Sequence, residues 1–285
     1  MSDRPSIRTQ FLIFTLFGEY VVPRGGGAWT AGLLNLLGVL GVSERAGRST
    51  LSRMSQKGWL RSRRNGRHSR YEITLRGQRI VEAGAVRIFE PRRVSWDGRW
   101  HIVAYSVPEG KRRLRSRLRT HLGWLGFGRL APGTWVSPND RRQEVEADLE
   151  DLAARPYAVY FSRSQLYFIT NEEIVSRCWD LKGLNREYAR FLKKFKPAQE
   201  EARSAFGSGH PLAPAECFRR RFWLTLAYSQ FPRLDPNLPE PLLPNDWLGT
   251  GAADVFQTYH RLLRASSEAF VDEVLRQDPT AGRSS

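Results

Sequence analysis

The feature that most constrains this chain is a run of positive charge near its start. From Arg45 to Arg70 the sequence carries nine Arg and Lys residues and no Asp or Glu. The repulsion within such a segment is usually offset by a polyanion, and the phosphates of nucleic acid are a common one. A solvated basic surface without a partner is the alternative. We therefore expect this segment to be exposed and to meet nucleic acid.

The overall composition indicates a basic, folded protein without a metal site. The formal net charge is +16 over 285 residues, and the first 93 residues hold 17 of the 45 Lys and Arg but 6 of the 29 Asp and Glu. Hydrophobic residues make up 41%, which supports a buried core and excludes global disorder. Cys178, Cys217 and the five histidines lack metal-ligand spacing, so we expect no metal, no cofactor and a reducing cytoplasm. We also expect no signal peptide and no membrane span.

The residues around the basic run predict a helix-turn-helix. Apolar residues at helical spacing predict helices over Ile7–Phe17 and Trp29–Leu40. After a turn, Ser43 is a good N-cap for a further helix, and Gly58 is a plausible stop for it just past Lys57. Two helices joined by a short glycine-containing turn are typical of DNA-binding proteins.

The second helix of this pair has two different faces. Gly47, Thr50, Leu51 and Met54 share one side and can pack against the protein. Arg, Ser and Gln side chains on the other side are types that contact base edges in the major groove, although an exposed polar face is the plainer interpretation. The predicted base contacts are Arg45, Arg48, Ser49 and Ser52, and Arg53 and Lys57 flank them.

A basic hairpin follows the helix. Trp59–Arg64 and Ser69–Leu75 are predicted strands, and Asn65-Gly66 between them predicts a type I′ turn. A hairpin in this place is a wing, which contacts phosphates or enters the minor groove. The predicted contacts near its tip are Arg63, Arg64, Arg67 and Arg70.

The middle of the chain predicts a ferredoxin-like domain. A helix over Leu75–Phe89 leads to a boundary near residues 90–98, after which strands and helices follow in the order β-α-β-β-α-β. The predicted elements are Trp100–Val107, Lys111–Leu125, Phe127–Leu130, Thr134–Ser137, Arg142–Ala154 and Tyr157–Phe161, with a further strand at Leu166–Ile169. Small nucleases of this fold need a metal-binding carboxylate after the first strand, where this chain has Ser106-Val107-Pro108, so we expect no enzyme.

The last third of the chain predicts helices. One is expected over Leu184–Lys196 with a stop at Pro197, one starts at Pro214, and the last covers about Ala252–Arg276. Their aromatic residues are either core or the lining of an effector pocket. The run Arg219 to Arg221 could pair with the phosphates of a CoA group, but an exposed basic surface or contact with acidic helices is the preferred interpretation.

A set of short motifs occurs in one order along nearly the whole chain. They are Arg24-Gly25-Gly26 with Trp29, Val42-Ser43-Glu44-Arg45, Leu51-Ser52-Arg53-Met54, Gly58-Trp59-Leu60, Arg64-Asn65-Gly66-Arg67 with Tyr71, Trp96-Asp97-Gly98-Arg99-Trp100, Gly126-Phe127-Gly128, and Leu242-Leu243-Pro244-Asn245-Asp246-Trp247. With them the chain resembles the PaaX family of bacterial transcriptional regulators, the phenylacetate-degradation repressors. Gly47 departs from the larger apolar residue of many relatives.

The resemblance implies an α+β multidomain chain. Its expected parts are a winged helix-turn-helix domain at residues 1–92, a ferredoxin-like domain at 93–174 and a helical effector or dimerisation domain at 175–285. It also implies a repressor of a double-stranded DNA operator that an aryl-CoA thioester such as phenylacetyl-CoA releases.

We expect a cytoplasmic homodimer on a palindromic operator, and the effector-binding residues are unknown. Two alternatives stay open at this point. One is a protein that binds or processes nucleic acid through the ferredoxin-like domain, and the other is a DNA-binding protein without effector control.

Overall fold

The structure is a computed structural model that describes residues 9–81 and 95–276. These residues fall into two compact units. Unit 1 comprises the described parts of Met1–Phe89, Phe191–Gln230 and Gly251–Ser285, and unit 2 comprises the described parts of Glu90–Arg190 and Phe231–Thr250. The last third of the chain therefore contributes to both units. The three domains with boundaries at residues 92 and 174 stay a prediction.

Unit 1 begins with helices that pack around aromatic residues. Helix α1 (Thr9–Leu16) continues as a π-helical turn at Phe17–Val21 and a 3-10 turn at Val22–Arg24. The helix predicted over Ile7–Phe17 therefore does not end at Gly18, the next residue, where a glycine could have stopped it. Phe17 and Tyr20 are completely buried, and packing of these rings holds the backbone helical past the glycine. Helices α2 (Thr30–Val39) and α3 (Glu44–Gln56) follow, and both match the sequence prediction closely.

A three-stranded antiparallel sheet completes the N-terminal part of unit 1. Strands β1 (Gly27–Trp29), β2 (Leu60–Asn65) and β3 (His68–Ile73) lie in the order β1-β3-β2. Helices α2 and α3 with the β2–β3 hairpin form the predicted winged helix-turn-helix arrangement. Helix α4 occupies residues 75–81, and the rest of the predicted helix Leu75–Phe89 lies outside the described residues.

The hairpin turn differs from the predicted one by one residue. Asn65 pairs with His68 as the last pair of the ladder, so Gly66 and Arg67 connect the strands. Gly66 has a φ of 57°, whereas Arg67 is not among the residues with positive φ. A positive φ at the first turn residue alone fits type II′ rather than type I′. The turn prediction at Asn65-Gly66 is therefore wrong, and Arg67 stands at the tip itself.

Unit 2 contains a four-stranded antiparallel sheet with helices in the predicted β-α-β-β-α-β order. Its elements in chain order are β4 (Trp100–Tyr105), α5 (Arg112–Trp124), β5 (Gly128–Ala131), β6 (Thr134–Ser137), α6 (Arg142–Asp151) and β7 (Ala158–Ser164). The strand order β5-β6-β4-β7 places the first and third strands of the motif at the centre. This is the ferredoxin-like arrangement that the sequence predicts.

The strand predicted at Leu166–Ile169 is wrong. These residues form no strand, and Phe168 has a φ of 64° with its side chain fully exposed. A positive φ interrupts the extended backbone that a strand requires. Helix α7 (Asn171–Cys178) begins just afterwards with a capping box, in which the Thr170 side chain and Glu173 satisfy each other's backbone N–H groups.

Four α-helices follow α7 among the described residues. They are α8 (Leu181–Gly207), α9 (Pro214–Tyr228), α10 (Phe231–Leu234) and α11 (Gly249–Arg276). Pro197 lies inside α8 and does not end it, so the predicted stop is wrong. The proline is on the exposed side, where water can satisfy the carbonyl that it leaves unpaired, and buried Phe191, Phe195 and Ala202 hold the helix on both sides of it. Among the described residues, no helix combines the length and apolarity of a membrane span.

Candidate nucleic-acid interface

Helix α3 is oriented by its apolar side. The Ser43 hydroxyl accepts a hydrogen bond from the Ala46 N–H and caps the helix, as predicted. Leu51 and Met54 are buried in the core of unit 1. Gly47 is buried as well, and a Cβ atom there would stand 2.7 Å from Leu34 Cδ2, so the glycine permits close packing of α3 against α2. The opposite face of α3 is thereby turned to solvent.

All the predicted contact residues of α3 are exposed, and three of the basic ones have intramolecular partners. Arg48 forms an ion pair with Glu44 one turn earlier at 2.8 Å, and Arg53 donates to the Thr50 hydroxyl at 3.1 Å. Lys57 lies 4.7 Å from the centre of the Trp59 ring. These partners hold the long side chains along the helix surface. The exposed residues are Arg45, Arg48, Ser49, Ser52, Arg53 and Lys57.

The hairpin divides its arginines into two groups. Arg64 and Arg67 are exposed, and neither has a carboxylate within ion-pair distance in the part of the chain that the structure describes. Arg63 is exposed but lies 3.1 Å from Glu72 on β3. Arg70 is half-buried and donates to the Gly27 carbonyl at 3.3 Å, so it ties β3 to β1.

Glu72 is a functional neighbour that sequence reasoning missed. Its carboxylate lies 3.2 Å from Arg61, 3.1 Å from Arg63 and 3.9 Å from Arg70. The antiparallel register explains this, because Glu72 pairs directly with Arg61 across the hairpin. Only the register, which depends on the turn, could have revealed it. The least neutralised charge of the hairpin therefore lies at its tip.

The run Arg219 to Arg221 pairs with carboxylates of unit 1. Arg219 and Arg220 contact Glu216, and Arg220 also contacts Glu201 at 3.0 Å. Although burial acts to raise it, the pKa of Glu216 is held below its usual range by hydrogen bonds from Arg220 and Arg219. This is the acidic contact that the sequence analysis preferred to CoA phosphates.

Arg221 belongs to a buried polar cluster that the sequence did not suggest. Its side chain is 5% exposed and lies 3.2 Å from the equally buried carboxylate of Glu19 in the π-helical turn. His260 Nε2 on α11 lies 2.8 Å from Glu19 Oε1 and 3.2 Å from Arg221 Nε. Beside it Tyr20 and Ser267 share a hydrogen bond of 3.1 Å. The cluster fixes the π-helical turn to helices α9 and α11.

The middle of the chain holds a histidine that resembles a catalytic group only in composition. His101 is 5% exposed, and burial lowers its pKa despite the nearby Asp140 carboxylate. Ser162 Oγ and Asp140 Oδ1 both approach the same ring nitrogen, Nδ1, at 3.5 and 3.8 Å. A nucleophile–base relay needs its two partners on different nitrogens, so this arrangement cannot transfer a proton from serine toward aspartate. Within residues 9–81 and 95–276, no group of three or more His, Cys, Asp or Glu is placed to hold a metal ion.

Comparison with known proteins assigns the chain to a family. Residues 8–77 match a family described as PaaX-like protein, residues 93–175 match the PaaX protein central Cas2-like domain, and residues 179–273 match the PaaX-like protein C-terminal domain. The chain belongs to the PaaX-like family. Its α+β architecture thus has three parts: N-terminal helices with a small sheet, a Cas2-like middle domain and a helical C-terminal domain.

One curated protein supports the PaaX-like assignment, and one solved structure shows the same fold. The chain is 29% identical over 266 residues to the transcriptional repressor PaaX of Escherichia coli (strain K12), covering 92% of this chain and 82% of that protein. The uncharacterized protein Rv0674 from Mycobacterium tuberculosis shares the fold, with a TM-score of 0.63 at 22% identity over 94% of this chain and 98% of that one. Helix α3 and the hairpin both lie inside the N-terminal PaaX-like segment.

Proposed function

We propose that this PaaX-like protein is a cytoplasmic, homodimeric transcriptional repressor and not an enzyme. In this proposal it binds a palindromic double-stranded DNA operator and is released by an aryl-CoA thioester such as phenylacetyl-CoA. The observation that carries the proposal is the exposed, basic surface formed by α3 and the hairpin tip. The name of the E. coli relative supports the repressor role.

The two elements have different tasks in this proposal. A helix fits the major groove, and its N-terminal part meets the base edges, which favours Arg45, Arg48, Ser49 and Ser52 as base contacts. The hairpin arginines contact phosphates, which position the protein on the duplex without reading its sequence. Arg53 and Lys57, near the end of α3, are placed to do the same.

Effector control requires two states of the dimer. Two copies of α3 would engage half-sites roughly 34 Å apart or a multiple of that distance. The effector has to bind more tightly to a state in which the spacing no longer fits, and such coupling is typically ~1–3 kcal/mol.

A gel shift tests the proposed function and its rivals together. The probe is the DNA upstream of the protein's own gene, with and without a panel of aryl-CoA thioesters. We expect a complex that one of these thioesters dissociates. Binding that no thioester changes would contradict effector control, and cleavage of the probe with Mg²⁺ would indicate a nucleic-acid-processing protein instead.

Replacing Arg48 with Ala should relax sequence preference. A good base contact contributes about 1–3 kcal/mol of discrimination. The difference in binding free energy between operator and scrambled duplex should therefore shrink by that amount. Competition binding on the two duplexes measures it. Arg203, exposed on α8, provides a control of equal charge whose replacement should leave this difference unchanged. Equal losses on both duplexes for Arg48→Ala would refute its base-reading role.

A further inference from the structure

A second unneutralised basic surface lies in unit 2, on helix α5. The helix contains five arginines and no acidic residue between Arg112 and Trp124. Arg115 is half-buried and donates to the Val107 carbonyl at 2.9 Å, so it has a structural contact. The other four are exposed and, across the part of the chain that the structure describes, none has a carboxylate within ion-pair distance. We call Arg112, Arg113, Arg117 and Arg119 the α5 arginines.

The arrangement of these side chains is unfavourable for the helix itself. Arg112 and Arg113 stand in the first turn, where the helix dipole favours negative charge and where this helix has no acid. Arg113 and Arg117 are four residues apart, a spacing at which like charges repel. An unfavourable arrangement of charges that no contact within the protein offsets indicates a functional constraint. We infer that negative charge from a binding partner offsets the repulsion between these arginines.

We propose that the α5 arginines form a second contact surface for duplex DNA, which holds backbone phosphates of the DNA flanking the operator. The proposal rests on the proposed function only in that the same duplex is bound. Phosphate contacts need positive charge at helical spacing and no particular base sequence, which is what four arginines within eight residues supply.

A second copy of the chain is the rival occupant of this face. Trp124, at the end of α5, is 53% exposed, and the neighbouring helix α6 is acidic. Three of the five acidic residues of α6 are already paired within the protein: Glu144 with Arg141, Glu146 with Arg155 and Asp148 with His121. This leaves Glu150 and Asp151 to face four arginines, a poor balance of charge. The backbone of a DNA duplex, in contrast, offers at least as many phosphates as there are arginines on this face.

The test replaces all four α5 arginines with Ala in the full chain. A matched control replaces Arg129, Arg177, Arg186 and Arg233, which are exposed, dispersed over unit 2 and equal in charge. Fluorescence anisotropy measures the affinity for a long duplex containing the upstream DNA between 50 and 200 mM salt. Each phosphate contact contributes about 0.9 to the slope of log K against log salt, so four lost contacts should make the slope of the α5 variant shallower by about 3.6 per bound protomer. The control should keep the slope of the wild type.

Two further measurements separate the possible outcomes. The α5 variant should melt at or above the temperature of the wild type, because repulsion within the helix is removed, and it should keep its preference for operator over scrambled duplex. Equal slopes in the α5 variant and its control would overturn the inference. So would a slope that is unchanged while sedimentation shows a smaller assembly, since the face would then bind a second copy.

Comparing the α5 variant with a hairpin variant separates failure of the α5 surface from failure of the proposed function. The slope could become shallower in the α5 variant but stay unchanged in a variant whose hairpin-tip arginines are replaced. That result would support the second surface and contradict DNA binding by α3 and the hairpin. The reverse pattern would overturn the α5 surface alone.

Discussion

Replacing Arg221 with Met is expected to lower the free energy of unfolding by about 3–5 kcal/mol. The substitution leaves the Glu19 carboxylate, 5% exposed, without the guanidinium that lies 3.2 Å away. The carboxylate keeps its contact with His260 Nε2 at 2.8 Å, but without the guanidinium it has to be solvated or protonated, and both cost stability. Urea denaturation followed by circular dichroism measures the change.

Two controls identify the buried carboxylate as the cause. Arg219→Met removes an arginine from the same helix whose side chain is 46% exposed, and it should cost no more than about 1 kcal/mol. The double variant Glu19→Gln, Arg221→Met removes the unpaired charge and should be more stable than Arg221→Met alone. A loss below about 1 kcal/mol for Arg221→Met would show that the pair does not fix the π-helical turn to α9.

Neutralising the hairpin tip is expected to have the largest effect on DNA binding. The variant replaces Arg63, Arg64 and Arg67 with Ala. Three lost phosphate contacts per protomer should make the slope of log K against log salt shallower by about 2.7 per bound protomer, and affinity should fall alike for operator and scrambled duplexes. Salt titration by fluorescence anisotropy measures both quantities.

The control for the hairpin variant removes the same number of positive charges from another part of the protein. Replacing Arg129, Arg177 and Arg186 with Ala removes three exposed arginines of unit 2 and should leave the slope unchanged. A hairpin variant that loses affinity for the operator alone would show base reading by the wing. A hairpin variant indistinguishable from this control would exclude the wing from the interface.

The sequence predicted well those elements that short-range rules control. Ser43 as the cap of α3, Pro214 at the start of α9 and the alternation of α3 between buried and exposed sides all depend on neighbours a few residues away. The winged helix-turn-helix, which those local signals compose, was therefore predictable. The ten proposed contacts all lie on α3 or the hairpin, and nine of them are exposed.

The errors arose where distant contacts override a local signal. A proline normally ends a helix, but packing of buried residues on both sides of Pro197 keeps α8 continuous. The one-residue shift of the hairpin turn depends on the pairing of β2 with β3, and it concealed the ion pairs of Glu72. The buried cluster of Arg221 was not predicted, because its partners Glu19 and His260 are far away in the sequence.

A cleavage reagent on the hairpin tip can show where the hairpin lies on DNA. Asn65→Cys places a thiol on the exposed hairpin without removing an arginine, and an iron–EDTA group attached there cleaves nearby DNA. Burial raises the pKa of the Cys178 thiol to about 12 and also raises that of buried Cys217, so labelling at neutral pH is selective for the new cysteine. Ser204→Cys, exposed on α8, is the control position.

We expect cleavage of the upstream duplex from position 65 at two discrete places related by the symmetry of the operator, with no such cuts from position 204. Uncut DNA from position 65 in a complex that still shifts on a gel would contradict the claim that α3 and the hairpin form the DNA-binding surface.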